Sequence, residues 1–154
     1  MNQNIKTAGI VLAAAVFFII DRALKALFTG IWRRADFRLI GEWLSFKLSF
    51  NSGIAFSLPI DSILIISAIC AIILILSHFA WRELAQKRSA AFFALMLIIF
   101  GAYSNLLDRL KFGAVADYID LKYFTVFNLA DAMIAIGAVV FLLSKIKKKP
   151  IISG

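Results

Sequence analysis

The sequence predicts an all-α polytopic membrane protein, four transmembrane helices carrying a small extracytoplasmic β-sheet cradle. Three observations lead there. Of the 154 residues, 62% are hydrophobic and the mean hydropathy is +0.91, more apolar surface than a soluble domain of this size can hide from water. The apolar residues gather into four runs close to the roughly 20 residues a helix needs to cross a bilayer. The basic residues flank those runs asymmetrically.

Taken in order, the first run covers residues 7–20 and is followed at once by Asp21, Arg22 and Lys25. Continued to Phe28 it makes a span of 7–28, with the two cations reaching toward the interface. No small-residue cleavage site precedes Asp21, so the run reads as a span rather than a signal peptide. The second and third spans, 62–81 and 89–110, have apolar stretches free of acidic or basic residues. The fourth, 125–144, contains a single charge, Asp131. The whole chain, 1–154, reads as one integral membrane domain.

Lys6, Arg82, Lys87, Arg88, Lys145, Lys147, Lys148 and Lys149 fall on one side of the four spans. The excess of Lys and Arg in short loops assigns that side to the cytoplasm, with both termini. The longer connections, 29–60 and 108–124, face out, and every acidic residue except Glu83 lies in them or at the outer ends of the helices. Between the first two spans, residues 44–50 read LSFKLSF, a period of two that marks a half-buried strand. Residues 37–40 can pair with it across Gly41–Glu42, giving a β segment of about 36–58. Such a sheet either anchors at the interface or cradles an extended peptide.

The net charge of +8 comes without a basic face interleaved with aromatics, so it reads as topology signal and contact with membrane lipids rather than nucleic acid. One cysteine, Cys70, and one histidine, His78, supply neither a disulfide nor a soft-metal site. His78 and Ser104 end their spans on opposite sides of the bilayer, which excludes a serine triad.

Polar residues concentrate at the outer ends of three helices. Asp21 and Lys25 share a face of the first, and Asn105, Asp108 and Arg109 share a face of the third. Asn128 and Asp131 lie one turn apart at the start of the fourth. Asp117 precedes Asp131 by 14 residues, in a loop that Gly113 allows to fold back. Ionisable residues within spans are costly and mark function. Asp117 and Asp131 either form a pair that shares a proton and activates water, or are helix-end residues paired with Arg109 and Lys122.

Four blocks separated by these spans resemble the bacterial lipoprotein signal peptidases (signal peptidase II) from about residue 20 to 143. They are Asp21-Arg22-Ala23-Leu24-Lys25, Asn51-Ser52-Gly53-Ile54-Ala55-Phe56-Ser57, the stretch GAYSNLLDRLKFGAVADYI from Gly101, and Phe127-Asn128-Leu129-Ala130-Asp131-Ala132. The resemblance implies a metal-free, cofactor-free aspartic endopeptidase of the bacterial cytoplasmic membrane, active at the extracytoplasmic face. Its substrates would be diacylglyceryl-modified prolipoproteins, cut before the lipidated cysteine by a single chain. It implies Asp117 and Asp131 as the catalytic pair, supported by Asp21, Lys25, Asn51, Gly53, Asn105, Asp108, Arg109, Asn128 and Ala130. In that reading Arg109 orients the substrate backbone, and Asn51 and Asn105 hold peptide carbonyls. The chain departs from the family pattern at Arg22, where an uncharged polar residue is common, and at Ile54 and Ser104, which replace Ala and Gly. A non-enzymatic membrane protein accounts for the spans but not for four blocks in register.

Overall fold

A computed structural model describes residues 3–52 and 62–146. Among them are four helices, α1 (Gln3–Thr29), α2 (Ser62–Ala85), α3 (Ser89–Phe112) and α4 (Leu129–Lys145). Four strands accompany them: β1 (Asp36–Ile40), β2 (Leu44–Asn51), β3 (Val115–Leu121) and β4 (Val126–Phe127). Two helices, Ile63–Ala85 and Ser89–Phe112, are long and apolar enough to cross a membrane.

Helix α3 is the centre of the bundle and packs against the other three. Ala14, Leu97 and Met133 form one core where α1, α3 and α4 meet; Ala80, Phe92 and Leu95 form a second between α2 and α3. The buried positions of α1, Ala14, Asp21, Lys25 and Phe28, recur at helical spacing along one stripe. Its other faces, and those of α2 and α4, leave Leu12, Ile19, Ile63, Leu74, Val139 and Leu142 exposed, apolar surface of the kind that marks contact with a membrane or another protein.

Contact between α3 and α4 is close because glycine sits on both sides of it. A Cβ on Gly101 would lie 2.6 Å from the Ala130 carbonyl oxygen, and one on Gly137 would lie 2.7 Å from that of Ala94. Each glycine therefore admits the backbone of the facing helix.

The strands form one antiparallel sheet in the order β1-β2-β3-β4. Expectation and structure agree on β1, β2 and the turn at Gly41, whose φ is +50°. The other half of the sheet comes from a segment read as a loop: Asp117 lies in β3, opposite Ser49 of β2. Four consecutive residues of that strand, Val115 to Tyr118, are buried. With both faces covered, they show no apolar–polar alternation for a sequence reading to detect.

The helix expected to begin near residue 125 begins at Leu129. Val126 and Phe127 pair with Asp120 and Ile119 before the chain turns into α4. Phe28, at the end of α1, joins sheet to bundle: its ring stacks on Tyr118 at 5.2 Å and meets Trp32, Phe37 and Phe46.

Candidate active site

Where α1, α3, β3 and α4 converge, their polar residues make one continuous network. Asp21 and Lys25, one turn apart on α1, form a buried ion pair at 3.2 Å, and Lys25 Nζ also lies 2.8 Å from Asp108 on α3. Arg22 reaches Asp108 Oδ1 at 2.5 Å. Two carboxylates are thus matched by two cations, the condition under which buried charge is tolerated. The Asp108 carboxylate also accepts the Ala116 amide at 3.2 Å, fixing the start of β3 against α3. The turn between them is made by Gly113, whose φ of +71° lets its N–H cap the Arg109 carbonyl.

Asn128 is the N-cap of α4 and the link between the two aspartates singled out above. Its side-chain oxygen accepts the Asp131 amide at 2.9 Å, and the Asp131 carboxylate accepts the Asn128 amide at 3.2 Å, a reciprocal capping box. Its Nδ2 donates to Asp117 Oδ1 at 2.6 Å and to Asn105 Oδ1 at 3.2 Å. Asn105 in turn donates to Asp131 Oδ1 at 2.7 Å and accepts from Lys25 at 2.7 Å. Asp131 therefore sits in the first turn of α4, at its third residue.

Asp117 is 2% exposed. Burial, reinforced by the Asp131 carboxylate, pushes its pKa up to about 6 against the pull of hydrogen bonds from Asn128 and Asn51. The alternative pairing with Lys122 does not form: Lys122 is bound to Glu42. Asp131 and Asn51 line an open cleft of about 470 Å³ whose other walls include Leu121, Phe124 and Phe127. A second, wholly apolar cavity of about 240 Å³ lies among Phe17, Phe93, Leu97, Leu129, Met133 and Ile136, and shares Ala132 with the cleft.

A family model described as signal peptidase (SPase) II matches residues 13–147. The chain belongs to the signal peptidase II family. Among individual relatives, the lipoprotein signal peptidase of Moorella thermoacetica is 32% identical over 130 residues, 84% of this chain and 87% of the relative. That of Pseudomonas aeruginosa is 33% identical over 142 residues, covering 86% and 84%. That of Bartonella tribocorum is 41% identical over 103 residues, 63% of this chain and 62% of the relative. Two solved structures described as bacterial membrane enzymes, at 1.9 and 2.3 Å resolution, share the fold. Their TM-scores are 0.77 and 0.75 at 22% identity, covering 92% of this chain and 95% and 94% of theirs.

As a signal peptidase II, the protein is a peptidase of the aspartic class, and its expected site residues can be located one by one. Asp21, Lys25, Asn105, Asp108, Asp117, Asn128 and Asp131 fall into the network just described, and the Ala130 amide joins it by donating to Asp21. Asn51 joins it through Asp117. Arg109 lies at the end of α3, beside Ile65, Ile66 and Gly113. Gly53 and Ile54 lie outside the described residues.

The other two departures from the family pattern touch each other. Arg22 donates to the Ser104 carbonyl at 3.2 Å and hydroxyl at 3.3 Å, while that hydroxyl donates to Asp21 at 2.6 Å. The residue that sequence reasoning passed over is Tyr118. It is fully buried, and its hydroxyl donates to Asp21. Its place beside Asp117 was visible; its partners, on α1 and α4, were not.

Proposed function

We propose that this signal peptidase II removes the signal peptides of diacylglyceryl-modified prolipoproteins, cleaving before the lipidated cysteine with Asp117 and Asp131 as its catalytic pair. The observation that carries this reading is Asn128, which holds both carboxyls from one side chain and one backbone amide, with Asp131 on the wall of a peptide-sized cleft. The neighbouring cations are matched to Asp21 and Asp108. The pair therefore relieves its own repulsion by keeping a proton.

Burial and the Asp131 carboxylate raise the pKa of Asp117 to about 6, so the pair keeps a proton more readily than an exposed carboxyl would. In the reaction the ionised carboxylate takes a proton from water as the oxygen attacks the scissile carbonyl, and the protonated partner donates to the carbonyl oxygen. The tetrahedral species then breaks its C–N bond as the leaving nitrogen takes a proton from one carboxyl and a hydroxyl of the intermediate returns one to the other, which restores the singly protonated pair. Asn105 and Asn128 keep the carboxyls in register throughout, and Asn51 positions Asp117 beside the bound peptide.

The apolar cavity against Ala132 accepts acyl chain from the lipid side while the peptide lies extended in the cleft against the sheet. In this reading all four helices span the bacterial cytoplasmic membrane, the termini are cytoplasmic, the cleft opens at the outer face, and one chain suffices. Water activation is assigned to the two carboxyls.

The deciding experiment is cleavage of a diacylglyceryl-modified prolipoprotein by purified enzyme in detergent containing EDTA. Wild type should cut before the lipidated cysteine; Asp117→Asn and Asp131→Asn should fold and lose at least 10³-fold in kcat, the order expected when an acid–base group is removed. Substantial turnover by either variant removes the pair from the mechanism.

A further inference from the structure

Tyr118 belongs to none of the roles above, yet its surroundings are as fully determined as those of the aspartates. Its hydroxyl donates to Asp21 Oδ1 at 3.0 Å and accepts the Leu129 amide at 3.1 Å. The same Asp21 oxygen accepts the Ala130 amide at 3.2 Å. Leu129 and Ala130 are the two residues before Asp131, and their amides are among the four that a helix start leaves without internal partners. A phenol and a carboxylate take the place of water there. The ring is held in turn, stacked on Phe28 with 5° between the planes. On the far side of Asp21, Ser104 donates to Oδ2 at 2.6 Å, itself gripped by Arg22.

We propose that Tyr118 is a positioning residue for cleavage: its hydroxyl ties strand β3, which carries Asp117, to the first turn of α4, which carries Asp131, and so sets the separation of the two carboxyls. The inference rests on the assignment of those aspartates as the catalytic pair. Tyr118 is one residue from Asp117 and its bonding partner Leu129 is two residues from Asp131, so this bond fixes strand to helix beside the side-chain bridge that Asn128 makes between the carboxyls. Burial, with the Asp21 carboxylate adding to it, pushes the phenol well above its ordinary range. It remains a neutral donor and acceptor wherever the enzyme works, and acts through geometry rather than as an acid. Small displacements of aligned groups are expensive in rate, about 10²-fold for 1 Å.

Tyr118→Phe removes one oxygen and keeps the stack on Phe28. The same bond can be broken from its other end by Leu129→Pro. Proline suits the first position of a helix, where it deletes only an amide, and the extended backbone of Asn128, φ −131° and ψ 174°, is what a residue before proline adopts. Each variant should lower kcat at least 10-fold and displace the alkaline limb of the pH–rate profile; Tyr118→Phe should keep KM within twofold of wild type, whereas Leu129→Pro also trims a wall of the apolar cavity and is read by kcat alone. The double variant should be no worse than the poorer single one, since both remove the same bond. Melting temperature is followed in parallel. Retention of kcat within twofold and an unmoved pH profile in either folded variant overturns the proposal, as does full additivity in the double. With Asp117→Asn and Asp131→Asn in the same assay, inactivity of those two beside an unimpaired Tyr118→Phe defeats this inference alone. Activity in either of them defeats the catalytic assignment and this inference with it.

Discussion

Asp117 is a carboxyl that folding makes harder to ionise, which has consequences for rate and for stability with one sign each. Its pKa rises from 3.8 to about 6 on burial beside Asp131. In the proposed mechanism the pair holds a proton, so kcat/KM, which reports the free enzyme, should fall as pH rises through about 6. The corresponding limb of kcat should lie higher, because bound peptide displaces water from the cleft and further penalises the second charge. A pH series of both constants checks this; identical limbs would mean that the peptide leaves the carboxyls as wet as before.

For stability, the folded state binds more protons than the unfolded one between about pH 4 and 6. The contribution is complete at low pH and is lost as pH rises through that interval. Asp117→Asn removes the ionisation and keeps an oxygen for Asn128. At pH 8 it should be more stable than wild type by about 2–3 kcal/mol, at about 1.4 kcal/mol per pKa unit, and should show no such advantage at pH 4. Thermal unfolding at the two pH values measures it. At this scale the sequence was informative: a charge in an apolar helix had to be Asp131, and the resemblance marked its partner. Tyr118 was not legible, because a tyrosine among apolar neighbours looks like core until Asp21 and the Leu129 amide are seen around its oxygen.

Among the elements, α3 and α4 are the pair on which the site depends, since Asn105 and Asp131 meet across them at 2.7 Å. Gly137 is remote from that contact along α4 but belongs to the same interface. A side chain there meets the Ala94 carbonyl and Ile98. Gly137→Leu should therefore force the helices apart and lower both melting temperature and kcat, the overpacking alone costing about 1–3 kcal/mol. Gly9, with nothing within 4 Å of a built Cβ, is the control, and Gly9→Ala should change neither. Equal effects from the two substitutions would show that the close approach is not what positions Asn105.

The strands teach the complementary lesson. β2 was readable because one face is polar and one apolar, whereas β3 was not, being wedged between sheet and helices with both faces covered. For the same reason the start of α4 was placed four residues early: Val126 and Phe127 are as apolar as the helix that follows and differ only in pairing with β3.

On the scale of the whole molecule, two clusters of buried and half-buried charge lie at the two ends of α3, a helix of 24 residues. One end holds Asp21, Arg22, Lys25 and Asp108; the other holds Glu83 between Lys145 at 2.5 Å and Arg88 at 3.8 Å. Both brace the bundle, but only the first is continuous with Asp117 and Asp131. Lys25→Met leaves two buried carboxylates with one cation and should cost about 3–5 kcal/mol together with most of the activity. Glu83→Gln should lower the melting temperature while kcat is retained. A Glu83→Gln enzyme as inactive as Lys25→Met would mean that the bundle transmits strain along its full length.

By itself the sequence determined the solvent, the spacing of the apolar helices, the β1–β2 hairpin and the family to which the four blocks belong. These are properties of composition and local periodicity, and they survive without knowledge of what packs on what. Tertiary structure decided which polar residues share a cavity, that Asp117 sits on a strand, and that the departures at Arg22 and Ser104 form a single contact. It also decided that one tyrosine joins the chain segments of both aspartates. Those outcomes depend on residues as many as 109 positions apart, Asp21 and Ala130, coming within hydrogen-bond distance, and no periodicity along the chain encodes that.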